Sequence, residues 1–171
     1  MNIITDEYRE LNRKLHQDNE NYGTSGQHWR NAVRELSEYG RRSILDFGCG
    51  KQTLKKALGP AYRVTGYDPC IEGLDTPPEP HDVVVCGDVM EHVEPDLVMN
   101  VLREVRRLCK VRGLFVIGMQ PAMKTLADGR NAHLSLHTQE EWVAKLTEAG
   151  FEVAEQSDPN EKGHNSWFVC T

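Results

Sequence analysis

Asp46 ends the apolar run Ser43-Ile44-Leu45 and is followed by Phe47-Gly48-Cys49-Gly50. A carboxylate at a strand end, then a turn whose glycines carry no Cβ, lets the backbone come close to a bound molecule. If a helix opens directly after the turn, its first N–H groups point at the same place. The next apolar run, Tyr62 to Tyr67, ends in Asp68. It lies about twenty residues after the turn, where nucleoside-binding folds set a carboxylate on ribose hydroxyls. A dinucleotide fingerprint would need a third glycine where Thr53 stands, which argues against a nicotinamide-dependent oxidoreductase. Asp46 would also repel a phosphate but suits a cationic amino group.

A second polar group follows the apolar strand Val83–Val85, in Cys86-Gly87-Asp88-Val89-Met90-Glu91-His92-Val93. The carboxyl edge of an open α/β sheet is where such folds bind ligands. On a helical turn, Asp88, Glu91 and His92 would share one face at i, i+3 and i+4. Carboxylates and an imidazole there suit acid/base work or the orientation of an acceptor. With His133 or His137 from the polar stretch 120–137, they also make a donor set for Mg²⁺, Mn²⁺ or Zn²⁺. The same residues equally suit the capping of helix and loop backbone. The stretch 120–137 is long enough to be a lid. Its Asp128-Gly129 turn presents Arg130, Asn131 and His133 together, with Arg130 either meeting an acceptor anion or lying on the surface. Thr138 and Glu141 form a capping box, which favours a structural role for His137 over His133.

These residues must be held by an alternating frame. Apolar strands are expected at 43–47, 62–67, 82–87, 113–119, 151–156 and 166–170, and helices at 6–18, 28–39, 51–58, 95–110 and 138–149. Continuous apolar strands between helices predict an α/β, Rossmann-like, doubly wound sheet of about six mostly parallel strands. The short link 158–163 makes the last strand antiparallel. A chain of 171 residues is expected to form one domain, with 1–40 as a helical cap and 41–171 as the core. The net charge of −6 argues against a grip on extended duplex nucleic acid but leaves small or nucleotide-type acceptors open. Five scattered cysteines without a C-x-x-C pair, and a start with no leader or membrane-spanning run, suit a cytoplasmic protein with reduced thiols. Trp29 and Tyr22 are candidates for stacking on adenine or a planar acceptor, and equally for the core. The basic run Arg103 to Arg112 reads as a solvated helix face.

Asp46-Phe47-Gly48-Cys49-Gly50 resembles motif I of the class I S-adenosylmethionine-dependent methyltransferases. The resemblance implies S-adenosylmethionine as cofactor, held by Asp46, Phe47, Gly48, Cys49, Gly50, Asp68, Pro69, Asp88 and Val89. It also implies methyl transfer to an O or N of a small-molecule or nucleotide-type acceptor. The 86–93 string resembles the segment that follows in small-molecule methyltransferases, which sets Glu91, His92 and His133 as the catalytic candidates. It also resembles the D/E-x-x-E-H strings that hold a divalent metal in small-RNA 2′-O-methyltransferases. That resemblance would make Asp88, Glu91, His92 and His133 the ligands and the acceptor a nucleic acid. A non-catalytic module that binds S-adenosylmethionine needs only the first motif. Tyr22 to Gly26, Trp29 and the string Asp128 to His133 are similar to stretches of small methyltransferase-like proteins of phage and bacterial genomes. The family fold normally has a further strand between Asp68 and Asp82, where this chain offers a short stretch with Pro69, Pro77, Pro78 and Pro80. Proline cannot sustain that content, so the third strand is expected to be reduced or missing, with Ile71 and Leu74 serving the base instead.

Overall fold

Alternate residues of the central strands point to opposite faces, and each face buries its own apolar set. The protein is described by a computed structural model over residues 2–158 and 165–171. In β1 (Ile44–Phe47), Ile44 joins one core while Leu45 and Phe47 join the other. In β3 (His81–Gly87), Val83 and Val85 divide in the same way from Val84 and Cys86. β1 pairs in parallel with β2 (Val64–Tyr67) and with β3, and β3 pairs in parallel with β4 (Cys109–Gly118). β6 (Asn165–Cys170) runs antiparallel to β4 and to β5 (Val153–Gln156). The order β2-β1-β3-β4-β6-β5 is the expected mostly parallel, six-stranded Rossmann-like sheet with one antiparallel C-terminal strand. Residues 68–80 form no strand, so β2 is an edge and the third strand of the usual fold is missing.

Helices cover both faces. α2 (Arg30–Leu36) and α3 (Thr53–Leu58) bring Val33, Leu54 and Leu58 to the first core. α4 (Val98–Leu108) and α5 (Gln139–Glu148) bring Val101, Leu102, Val105, Trp142 and Leu146 to the second. Each large side chain buried this way contributes about 1.5–3 kcal/mol. The helix expected at 28–39 is shorter: Ser25–Trp29 form a 3-10 turn, and positive φ at Glu38, Tyr39 and Gly40 ends the helix. Helix α4 stops before 110 because Cys109 enters β4, which therefore begins earlier than the expected 113. The expected link at 158–163 falls largely on residues outside those described.

The N-terminal helix α1 (Asp6–Asp18) packs on loops at the carboxyl edge of the sheet. Tyr8 and the preceding Ile4 share a cluster with Cys70, Leu126 and Ala132. Thr5 caps the helix by accepting from the Tyr8 amide at 3.2 Å, and its own N and Oγ1 donate to the Glu94 carboxylate at 2.9 and 2.7 Å. The Tyr8 hydroxyl donates to the His92 carbonyl. The helix is thus pinned to the segment that carries the second polar group. Thr5→Ala is expected to speed hydrogen exchange of the α1 amides about fivefold, the equivalent of about 1 kcal/mol lost with a cap. Unchanged exchange would contradict this anchoring.

Candidate active site

The turn after β1 is organised around one carboxylate. The Gly48 and Cys49 amides donate to the Tyr67 carbonyl at 2.8 and 3.0 Å, which fixes the turn to the end of β2. Asp68 accepts from the Gly50 amide on one oxygen and from the Cys70 amide on the other, both at 3.0 Å. Gly50 has φ +47, and a Cβ there would lie 2.5 Å from the Gly23 carbonyl oxygen. No larger residue fits, because the N-terminal segment crosses at this point and the Lys51 amide donates to that carbonyl at 2.9 Å. Gln52 takes the left-handed conformation, and α3 starts after it.

The second group is built differently from the expected helical face. Only Met90–His92 form a 3-10 turn, and Asp88 has φ +55. Asp88 therefore leaves the face shared by Glu91 and His92. It accepts instead from Asn165 Nδ2 at 2.9 Å. Glu91 is buried, and its Oε1 accepts from the Gly118 amide at 2.8 Å, while Oε2 has no partner among the described residues. His92 Nδ1 donates to the Ala132 carbonyl at 2.8 Å and His133 Nδ1 to the Gln120 carbonyl at 2.5 Å. The two rings meet edge to face, 4.7 Å between centroids.

Both groups open on one cavity of about 1080 Å³. Phe47, Gly48, Asp68 and Pro69 line it on one side, and Asp88, Val89, Glu91, His92 and His133 on the other. Asp46, Cys49 and Gly50 are buried beside the turn and do not line the cavity. His137 is not with the cluster: it packs edge to face on Trp142 beside Glu141. Arg130 pairs with Asp128 at 2.6 Å on the surface and is turned from the cavity. Tyr22 lines the cavity, whereas Trp29 packs against Gly87. Ile71 and Leu74 do not reach the cavity, and Pro69 and Cys70 take that place.

From the N-terminal extension, sequence reasoning singled out Tyr22 and Trp29 and missed the side chains of α1. Tyr8, Asn12 and His16 line the cavity, and their i, i+4, i+8 spacing was the available signal. His16 lies 3.9 Å from Asp68 and 4.6 Å, ring to ring, from Tyr22, whose hydroxyl donates to Asn12 Oδ1 at 2.8 Å. Asn165 and Lys124 were missed too, since neither has a local pattern. The Lys124 ammonium sits 5.2 Å over the Tyr22 ring.

Burial sets the charge states. It pushes Glu91 up to about 8, with Asp88 adding to the rise, and Asp46 up to about 7, with Asp68 adding. Burial, then His133, pull His92 down to about 4, so its ring is neutral around pH 7. A cavity of this size accommodates a nucleoside with an amino-acid tail. Asp68 offers acceptor oxygens at the turn, and the neighbouring carboxylates favour a cationic ligand. S-adenosylmethionine therefore fits these residues.

The family model described as a methyltransferase domain matches residues 25–156. No curated protein sequence matches the chain. Among solved structures, the fold is similar to the 1,6-didemethyltoxoflavin-N1-methyltransferase of Burkholderia thailandensis, bound to 1,6-didemethyltoxoflavin and S-adenosylhomocysteine. The identity is 17%, over 96% of this chain and 88% of that one, with a TM-score of 0.68. It is similar to DhpI bound to S-adenosylhomocysteine at 19% identity, over 95% of each chain, with a TM-score of 0.64. It is also similar to the magnesium protoporphyrin IX methyltransferase of Synechocystis PCC 6803 with bound S-adenosylmethionine. That match has 17% identity over 84% of this chain and 78% of that one, with a TM-score of 0.60.

The raised Asp46 carboxyl has a consequence for stability. A carboxyl whose folded pKa is raised favours the fold while protonated. That contribution is lost as pH climbs from the unfolded value of about 4 towards about 7. Asp46→Asn should therefore gain in Tm over the parent between pH 5 and pH 8, by about 2–4 °C for each kcal/mol relieved. A difference that does not change with pH would contradict the burial of a carboxylate there.

Proposed function

Because the chain belongs to the class I S-adenosylmethionine-dependent methyltransferases, we propose that it moves a methyl group to an O or N of a small-molecule or nucleotide-type acceptor. The observation that carries this reading is the continuity of the cavity. Asp68 and Gly48 at one side share a single space with Glu91, His92 and His133 at the other. Bound S-adenosylmethionine supplies an electrophilic sulfonium methyl.

The residues have separable tasks. Asp68 accepts from the ribose hydroxyls with the lone pairs left after its two amide bonds, and Gly48 lets the backbone lie against the ligand. Phe47 and Val89 give an apolar lining, and Asp88 bonds a polar edge of the nucleoside. Alignment of donor and acceptor does much of the catalytic work in a transfer of this kind. Exclusion of water falls to α1, whose Tyr8, Asn12 and His16 close the cavity, and to Tyr22. Glu91, His92 and His133 face the acceptor. With each Nδ1 hydrogen held by a carbonyl, Nε2 of each ring is the lone-pair nitrogen. His133 is only partly buried and lies on a loop, so it takes the acceptor's proton and returns it to solvent. Glu91, protonated around neutral pH, holds the acceptor by hydrogen bonding.

A small acceptor suits a cavity of about 1080 Å³ better than a duplex does. Among the described residues no helix is long and apolar enough to cross a membrane. Isothermal titration with S-adenosylmethionine and S-adenosylhomocysteine tests the reading: both should bind with a Kd on the order of micromolar. Asp68→Ala should weaken each at least about tenfold, as expected for hydrogen bonds to a charged group. Absence of heat for both ligands at millimolar concentration would contradict it. His133→Ala should lower kcat by about 10²-fold or more with little change in the Kd of S-adenosylmethionine.

A further inference from the structure

We propose that Glu91, His92 and His133 bind a divalent first-row cation such as Zn²⁺ at the acceptor end of the cavity. One ligand atom from each of the three lies within 4.8 Å of the other two. Asp88, which the sequence resemblance placed with them, does not belong to this group, and neither does His137.

Three further observations point to a ligand. Glu91 is 1% exposed, and its Oε2 has no hydrogen-bond partner among the described residues, although an orphaned buried carboxylate oxygen is costly. Its Oε1 is held by the Gly118 amide at 2.8 Å, so the carboxylate is oriented and one oxygen is left over. Each imidazole is also oriented by its far nitrogen. A carbonyl only accepts, so the bonds to Ala132 and Gln120 place the proton on Nδ1 of His92 and His133 and leave each Nε2 with a lone pair. Metal-binding histidines are fixed by this same kind of outer bond. The third observation is space. A Cβ on Gly118 would stand 2.7 Å from Glu91 Oε1 and 2.9 Å from His133 Cε1, so only glycine leaves room beside the cluster.

Two imidazoles and one carboxylate suit a borderline cation better than Mg²⁺, which favours oxygen ligands. Three protein ligands leave a coordination position open, as in catalytic rather than structural sites. Cation binding releases the Glu91 proton to solvent and occupies Nε2 of both rings, so in the loaded site the acceptor is held at the open position rather than by Glu91 and His133 as in the unloaded one. An oxygen suits that position, so the acceptor class is a hydroxylated or carboxylated molecule. This placement takes its acceptor end from the function proposed above, whereas cation binding itself needs no methyl donor.

Chelator-stripped full-length protein, free of any affinity tag, is titrated with Zn²⁺ by calorimetry and with Co²⁺ by visible absorption. One cation per chain is expected, with a Co²⁺ d–d band. His133→Ala and Glu91→Gln should each weaken binding at least about tenfold, with circular dichroism confirming the fold. Gly118→Ala, which keeps every ligand but fills the space, should weaken it as well. No binding at millimolar cation, or full binding retained in both His133→Ala and Glu91→Gln, would overturn the inference. S-adenosylhomocysteine binding without cation binding removes this inference alone, and cation binding without S-adenosylhomocysteine binding removes the methyltransferase reading alone.

Discussion

Asp68 joins three parts of the chain that are far apart in sequence. Its two oxygens take the amides of Gly50 and Cys70, which ties the turn after β1 to the turn after β2. His16, from the N-terminal helix, stands 3.9 Å from the same carboxylate. The close contact of Gly23 with Gly50 completes the junction, because backbone lies on backbone where any side chain would intrude. A single carboxylate thus sets the shape of the turn, the seat of the N-terminal cap and one wall of the cavity. Its loss would disturb all three, which is why ligand affinity rather than fold alone is the informative readout.

Electrostatics bias the cavity towards cations. Four carboxyl groups, Asp46, Asp68, Asp88 and Glu91, lie along the carboxyl edge of the sheet. Packing four charges there without cations would be costly, and burial meets part of that cost by holding Asp46 and Glu91 protonated up to about 7 and about 8. Such an environment attracts a sulfonium or a metal cation more than an anion. Lys124, over the Tyr22 ring, adds one positive charge to the same lining.

The strands were legible because their apolar runs are continuous, the mark of a sheet buried on both faces, and the prolines after Asp68 made the loss of one strand legible as well. The glycine turn and Asp68 could be read because their chemistry is local. Asp88 could not, since its left-handed backbone breaks the helical spacing that seemed to join it to Glu91 and His92. The choice between His133 and His137 followed from the capping box, which commits the second to α5. Tyr8, Asn12 and His16 were hidden for another reason. Their stripe is visible on α1, but what it faces depends on how a helix docks some 90 residues away, at Glu94. Asn165 reaches Asp88 only through the β4–β6 pairing, a contact no short pattern records.

The sheet supplies precision and the N-terminal cap supplies closure, so the site exists only where the two meet. A crystal structure of the complex with S-adenosylhomocysteine tests this most directly. The ribose hydroxyls should lie about 2.6–3.2 Å from the Asp68 carboxylate, with the sulfur directed at Glu91 and His133 and α1 covering the ligand. A ligand seated elsewhere, or an Asp68 that keeps only its two backbone partners beside a bound nucleoside, would contradict it.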